Sequence, residues 1–181
     1  MLWFIFLLLV GCQTEQPENV QTYLIKGREG QTPLYRIEVP NRWSVVIPDG
    51  DLNDSKKPLA TIDLEEIHIT FHNFPGFAIP PAAQVARLKT QIHEIDPFTE
   101  SQTPCHFSGF FGLSYFCENQ DLATLAFAMQ IDPLHLQKLK GSEKGAVFTL
   151  KAVGPPELLY RYKQEITAMA ESIEIIDEIA P

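Results

Sequence analysis

Apolar and polar residues alternate in short segments along much of the chain, the pattern of half-buried β-strands. In residues 67–71, Ile67, Ile69 and Phe71 share one strand face, while His68 and Thr70 share the other. Glycine, proline and polar turn residues separate such segments. The pattern predicts strands at residues 23–25, 34–39, 44–47, 60–64, 67–71, 109–117, 122–131 and 146–153, with a brief last strand at 173–176.

Two segments change to the helical period. Pro80 and Pro81 suit a helix start, because a proline there leaves no backbone N–H unpaired. The apolar stripe that follows recurs every three or four residues: Val85, Leu88, Ile92 and Ile95. A second stripe follows the break at residues 154–156: Leu159, Tyr162, Ile166, Met169 and Ile173. The order βββββ-α-βββ-α predicts an α+β fold, an antiparallel sheet with a helix on each face.

The amino terminus is an apolar run at residues 2–10. It matches the apolar part of a secretory signal and is shorter than the ~20 residues of a membrane-spanning helix. Its first residues contain no Lys or Arg, so either the true start lies upstream or the signal is weakly charged. The alternative is an N-terminal core strand.

Residues 9–12, Leu-Val-Gly-Cys, resemble the lipobox of bacterial lipoproteins. The resemblance implies cleavage after Gly11 and acylation of the thiol and amine of Cys12. It divides the chain into a signal peptide (1–11), a lipidated cysteine with a flexible polar tether (12–22) and one domain (23–181). Gln13 is not Asp, which by the same resemblance implies delivery to the outer membrane, on its periplasmic face.

The net charge of the chain limits the classes of partner that it can bind. Formal net charge is −9, from 14 basic and 23 acidic residues. Nucleic-acid binding needs a basic face, so nucleic acid is not an expected partner. Adhesion to anionic lipid is disfavoured for the same reason, so the membrane contact must come from acyl chains on Cys12.

Three segments resemble PsbP-like domains: the strand and turn YRIEVPNRW at residues 35–43, SGFFG at 108–112, and the strand AVFTLKAVGPP at 146–156 with the helix and Glu171-Ser172-Ile173 after it. The resemblance implies an α/β/α sandwich. Proteins with this fold mostly bind other proteins, and the fold carries no enzyme activity with it.

Cys105 and Cys117 form an even pair once Cys12 is acylated. An oxidising compartment favours a disulfide between them. A bridge forms if the chain reverses near residues 110–112. The PsbP-like resemblance favours instead a continuous strand from Phe107 to Cys117, which would hold the two cysteines ~40 Å apart.

Candidate chemistry is sparse. His68 and His72 on one strand lie ~13 Å apart, too far to share an ion, and His93 is elsewhere, so no metal site is expected. Cys105 and His106 are adjacent in an extended segment and point to opposite faces, which disfavours a nucleophilic thiol. No glycine-rich phosphate loop or Gly-x-Ser-x-Gly motif occurs, so we expect no cofactor and no enzyme activity.

Two surface features remain. Phe71, Phe74 and Phe77 surround Pro75-Gly76, either as a cap over the sheet or as a contact surface. A local basic cluster could guide an acidic partner or simply be solvated: Lys138, Lys140 and Lys144.

The sequence therefore predicts a lipid-anchored, non-enzymatic envelope lipoprotein that binds or assists another envelope protein. The alternative is a small-molecule or lipid-binding module with a pocket between helix and sheet. An exposed apolar patch would favour the first function, and an enclosed apolar pocket of a few hundred Å³ the second.

Overall fold

The computed structural model describes residues 19–26, 33–48, 56–74, 79–92, 99–138 and 147–176. In this part of the chain ten strands and three helices form in the following order: β1 (Val20–Lys26), β2 (Pro33–Pro40), β3 (Ser44–Val46), β4 (Ala60–Leu64), β5 (Ile67–Asn73), α1 (Pro81–Ile92), β6 (Thr99–Phe107), β7 (Phe110–Glu118), β8 (Ala123–Ile131), α2 (Pro133–Leu136), β9 (Val147–Gly154), α3 (Pro156–Glu171) and β10 (Glu174–Ile175).

Seven strands form one large antiparallel sheet in the order β3-β4-β5-β9-β8-β7-β6. Its inner face carries the apolar members of each strand, because register places Phe71 opposite Leu150 and Leu150 opposite Phe127. Its outer face carries the alternate residues, His68, Thr70 and Lys151 among them. A small sheet in the order β1-β2-β10 is separate from it.

The main core lies between the inner face, the small sheet and α3. The α3 stripe is confirmed, since Leu159, Ile166 and Met169 are buried. Tyr35 of the small sheet packs edge-on against Phe71, with the ring centroids 5.1 Å apart. Helix α1 packs instead on the outer face, against β7 and β8.

The α+β class and the helix on each face are confirmed. The single sheet was wrong, because β1, β2 and β10 pair only with one another in the described part of the chain. The tether boundary also moves. Strand β1 begins at Val20, so the last three residues assigned to the tether are strand. Of the α1 stripe, Val85 and Leu88 are buried, and Ile95 lies outside the described residues.

The strands predicted at residues 109–117 and 122–131 form β7 and β8, which pair as a hairpin. Its turn is held by Asn119, whose side-chain oxygen accepts hydrogen bonds from the backbone N–H groups of Asp121 (2.9 Å) and Leu122 (2.8 Å). A turn at Asp132-Pro133 opens α2, with the side chain of Asp132 accepting a hydrogen bond from the N–H of Leu134 at 2.7 Å.

A second, unpredicted hairpin precedes it. The strand expected to run through residues 107–109 reverses there, because Ser108 (φ 49°) and Gly109 (φ 78°) both adopt left-handed backbone conformations. Positive φ at both central residues makes a two-residue turn whose twist suits a hairpin. Phe107 then pairs with Phe110, and β6 becomes the edge of the large sheet.

This hairpin determines whether Cys105 and Cys117 can form a disulfide. Cys105 lies opposite Gly112, whereas Cys117 lies opposite Glu100, five positions farther from the turn. Five residues of strand span ~17 Å, well beyond the Cα separation of a disulfide. The predicted Cys105–Cys117 bridge was therefore wrong, and both cysteines are free.

Gly112 is needed for close contact between β7 and β8. A Cβ placed on Gly112 would collide with the carbonyl oxygen of Ala128 and lie 2.8 Å from the sulfur of Met129. Gly112→Ala is expected to lower the free energy of unfolding by about 1–3 kcal/mol, because strand backbone has to move. Urea denaturation measures this effect. Ser114→Ala, on the same strand, is the control and should cost less than about 1 kcal/mol, since it loses one long hydrogen bond to Thr103.

Candidate functional site: an open groove beside helix α1

Helix α1 covers only part of the outer face of the large sheet. Val85 packs with Tyr115, Cys117 and Ala128 above β7 and β8. Beyond that cluster, His68 and Thr70 of β5 and Lys151 and Val153 of β9 are at least partly accessible to solvent. An open groove of about 470 Å³ lies there, and we call it the outer groove.

Strand register builds the floor of the outer groove. Thr70 of β5 lies directly opposite Lys151 of β9, and His68 lies opposite Val153. The inner positions on either side of them, such as Ile69 and Ala152, are fully buried and fix both strands in place. The same alternation that builds the core therefore presents these polar side chains together.

The rim comes from three loops. Glu66 belongs to the β4–β5 turn, Asp121 and Leu122 to the β7–β8 turn, and Pro155 to the start of α3. Gly154 lets β9 approach the β4–β5 turn closely, since a Cβ there would meet the carbonyl oxygen of Glu66 at 3.0 Å. The groove thus has a basic floor and an acidic rim.

Lys151 is half-buried and forms no ion pair with any described residue. Burial lowers the pKa of its ammonium group, and the nearby guanidinium of Arg87 lowers it further. Arg87 itself lies over the ring of Phe74, 4.4 Å from the centroid. A cation that is partly desolvated and unpaired gains most from an acceptor or anion brought by a ligand.

Thr70 adds a second group without a partner. Its hydroxyl oxygen is buried and makes no hydrogen bond to the described residues. An unsatisfied buried hydroxyl costs about 1–3 kcal/mol. Lys151 and Thr70 together can donate to one acceptor, such as a carboxylate or a backbone carbonyl.

His68 is oriented by a carboxylate. Its Nδ1 contacts Oδ1 of Asp63 on the neighbouring strand, where the two residues are paired in register. The contact fixes the imidazole ring at the edge of the groove. It leaves Nε2 as the nitrogen that remains for a ligand.

No group of three potential metal ligands occurs among the residues that the structure describes, and His93 lies outside them. His68, Thr70 and His72 share the outer face, as the alternation predicts. Cys105 and His106 point to opposite faces, which confirms that expectation. The Cys105 sulfur contacts the sulfur of Met129 at 3.5 Å, whereas His106 is exposed.

Neither the Cys105 nor the Cys117 thiol has the environment of a nucleophile. Burial raises the pKa of Cys105, against an opposing backbone hydrogen bond. Burial also raises the pKa of Cys117, while hydrogen bonds to Tyr115 and Thr124 lower it in part. A reactive thiol needs a lowered pKa and access to solvent.

The aromatic contact surface does not form as proposed. Phe71 is a core residue with 1% of its surface exposed, and Phe74 is buried beneath Arg87. The alternative, a cap over the sheet, fits these two side chains. Phe77 lies outside the described residues, as do Lys140 and Lys144 of the basic cluster, while Lys138 is exposed.

Cys12 and the apolar run at residues 2–10 also lie outside the described part of the chain. Among the helices that are described, none has both the length and the apolar character to cross a bilayer.

The sequence contained one signal for the outer groove. Lys151 is the one charged residue in the strand VFTLKAVG, and a partly buried charge gains from a partner or a ligand. Its neighbours Thr70 and His68 are some 80 residues earlier in the chain, and only strand pairing brings them to it.

No family model and no curated protein sequence matches the chain. The solved structures that align with the chain include the following two. Cyanobacterial PsbP (CyanoP) from Synechocystis sp. PCC 6803 aligns over 93% of this chain and 99% of its own, at 15% identity and a TM-score of 0.52. LpqN of Mycobacterium tuberculosis, described as involved in cell envelope biogenesis, aligns over 90% and 87%, at 15% identity and 0.45. The likeness to CyanoP confirms the PsbP-like fold.

Proposed function

We propose that this protein is a lipid-anchored, non-enzymatic component of the bacterial cell envelope, and that it binds another envelope protein through the outer groove. The sequence of residues 9–12 supports the anchor on Cys12 and, with Gln13, a place on the periplasmic face of the outer membrane. The PsbP-like fold is compatible with a binding role.

One observation carries the binding role. Lys151 and Thr70 are adjacent, partly or fully withdrawn from water, and without a partner among the described residues. Natural structures leave few buried polar groups unsatisfied, and each of them needs an explanation. A protein segment lying in the groove could supply the missing acceptor.

The shape of the groove favours a protein segment over an enclosed ligand. It is open to solvent along the sheet, and charged residues form its rim. Small-molecule sites typically bury most of the ligand surface, which a groove this open to solvent does not do. The alternative of a small-molecule or lipid pocket between helix and sheet therefore has less support.

Photo-crosslinking in intact cells tests this function. A photoreactive phenylalanine analogue at Val153, in the groove, is expected to give a discrete covalent adduct with another envelope protein. The same analogue at Gln164, exposed on α3, is the matched control and should give none. Adding Lys151→Gln is expected to reduce the Val153 adduct about tenfold or more, because a hydrogen bond from a charged group contributes about 1.5–3 kcal/mol.

Thr70→Val separates binding from folding. It removes a hydroxyl that has no partner, so thermal stability should stay the same or rise, while the Val153 adduct weakens. Equal adduct yields at Val153 and Gln164, or a yield unchanged by Lys151→Gln, would contradict binding through the outer groove.

A further inference from the structure

The two sheets end in four edge strands in the described part of the chain, and three of these are protected. Strands β3 and β10 have only three and two residues, too short to template another strand. Strand β6 has nine residues but contains Pro104 and Glu100. Strand β1 has seven residues and no proline, and none of the described strands pairs with its free edge.

Register shows how β6 is blocked. The tight turn makes Phe107 and Phe110 a hydrogen-bonded pair, so alternate residues of β6 direct their backbone groups away from β7. Pro104 is one of these outward residues. It has no N–H to offer, and it interrupts the free edge near its middle.

The free edge of β1 is continuous. The N–H of Asn41 donates to the carbonyl of Asn19 at 2.9 Å, so these residues, just beyond the ends of β2 and β1, form a hydrogen-bonded pair that continues the register. Residues at alternate positions therefore direct their N–H and C=O groups outward: Val20, Thr22 and Leu24. Glu38, opposite Thr22, donates its N–H to Ser172 at 2.9 Å, as this assignment requires.

The side chains along this edge are unprotected as well. Val20 is 51% exposed and Leu24 is 47% exposed, two apolar residues on one face of the strand. The one charged residue of β1, Lys26, lies at its end beyond the irregularity after Ile25, so the regular part of the edge carries no charge. Edges of natural sheets usually carry charges or prolines that prevent pairing.

We propose that β1 pairs antiparallel with β1 of a second copy, with the two-fold axis passing through Thr22. Val20 then lies opposite Leu24 of the partner subunit, and both apolar side chains gain a cross-strand neighbour. An axis at Tyr23 would place Val20 opposite Lys26 of the partner subunit, beyond the irregularity between Ile25 and Lys26. The axis at Thr22 keeps all pairing within the regular part of the strand.

This pairing joins the two small sheets into one of six strands. A two-fold contact uses the same edge on both copies, so the assembly closes at a dimer and does not grow into a fibre. A single strand pair buries much less surface than a standard interface, so the dimer should be weak in dilute solution.

Disulfide trapping of the full chain tests the proposal. Residues paired by hydrogen bonds across an antiparallel axis have Cα atoms ~5.5 Å apart, within disulfide range. Thr22→Cys is therefore expected to give a covalent dimer under mild oxidation. Gln102→Cys, at an outward position on the blocked edge of β6, is the control for disulfides formed by random collision. Gln102→Cys and the parent chain should both give little covalent dimer. A Thr22→Cys yield no higher than that of Gln102→Cys overturns the proposal.

Thr22→Pro provides a second, independent test of the β1–β1 pairing. It deletes an outward N–H that makes no bond to β2, so the far-ultraviolet circular dichroism spectrum and the thermal transition should be retained. Thr22→Val keeps the N–H. By sedimentation in detergent over rising protein concentration, the parent and Thr22→Val should shift to twice the protein mass while Thr22→Pro stays monomeric. A folded Thr22→Pro chain that still dimerises overturns the pairing.

Discussion

Replacing Cys12 by alanine is expected to move the protein completely from the membrane fraction to the soluble fraction. The net charge of −9 opposes electrostatic attraction to anionic lipid. In the proposed function the protein is attached by acyl chains on Cys12, which contribute about 0.8 kcal/mol for every buried CH₂ group. Cys12→Ala removes every chain at once. Membrane flotation after a high-salt wash, together with incorporation of labelled palmitate, measures the loss.

Cys105→Ala is the matched control, because it removes a different thiol from the folded domain and should leave membrane attachment intact. Continued flotation of Cys12→Ala, or loss of flotation by Cys105→Ala, would contradict a lipid anchor at Cys12. Gln13→Asp tests the location separately. By the lipoprotein resemblance it should retain the protein in the inner membrane, which density-gradient fractionation of the envelope distinguishes.

The elements with strong periodicity could be predicted from the sequence because a buried face dictates the pattern. The α3 stripe and the alternation of Tyr35, Ile37 and Val39 in β2 follow directly from burial. These segments face the core along their whole length. In these segments the apolar or polar character of each residue therefore indicates whether it is buried or exposed.

Strand β6 could not be predicted in the same way. Its residues are exposed at seven of nine positions, because it is an edge strand of which only Cys105 and Phe107 pack against the core. Its sequence, TESQTPCHF, accordingly lacks apolar alternation. The turn that follows it was missed because Ser108 is not a typical residue for positive φ, although the Ser108-Gly109 pair is a turn signal.

Pairing between strands that are far apart in the chain could not be predicted from the sequence either. The separation of the small sheet depends on β10 joining β2 across some 140 residues, through the pairs Glu174–Arg36 and Ile175–Tyr35. The outer groove likewise depends on the pairing of β5 with β9. Residue type marks Lys151 as unusual, but only register identifies Thr70 as its neighbour.

The YRIEVPNRW segment that suggested the PsbP-like fold has a physical role at its end. Trp43 is 3% exposed, and its indole Nε1–H donates to Oε2 of Glu165 on α3 at 3.0 Å. Its ring also packs edge-on against Tyr162, with centroids 5.7 Å apart. The turn after β2 thereby fastens α3 over the core.

Trp43→Ala is expected to lower the free energy of unfolding by about 3–5 kcal/mol, since it removes a buried aromatic side chain and leaves a cavity. That is a large fraction of the 5–15 kcal/mol typical of a domain. Trp43→Phe keeps an aromatic ring but loses the donor to Glu165, so about 1.5–3 kcal/mol should be lost. Urea denaturation of the three proteins gives the comparison.

Arg42→Ala is the control for the ion pair at the same position. Arg42 also bonds to Glu165, but its side chain is 45% exposed. The side chain of Glu165 is 19% exposed and keeps its hydrogen bond from Trp43, so this variant should lose only about 1 kcal/mol. If Arg42→Ala cost as much as Trp43→Ala, charge pairing rather than burial of the indole would hold α3 in place. From the most to the least stable, the expected order is Arg42→Ala, Trp43→Phe and Trp43→Ala, because burial of apolar surface contributes more than this partly exposed ion pair.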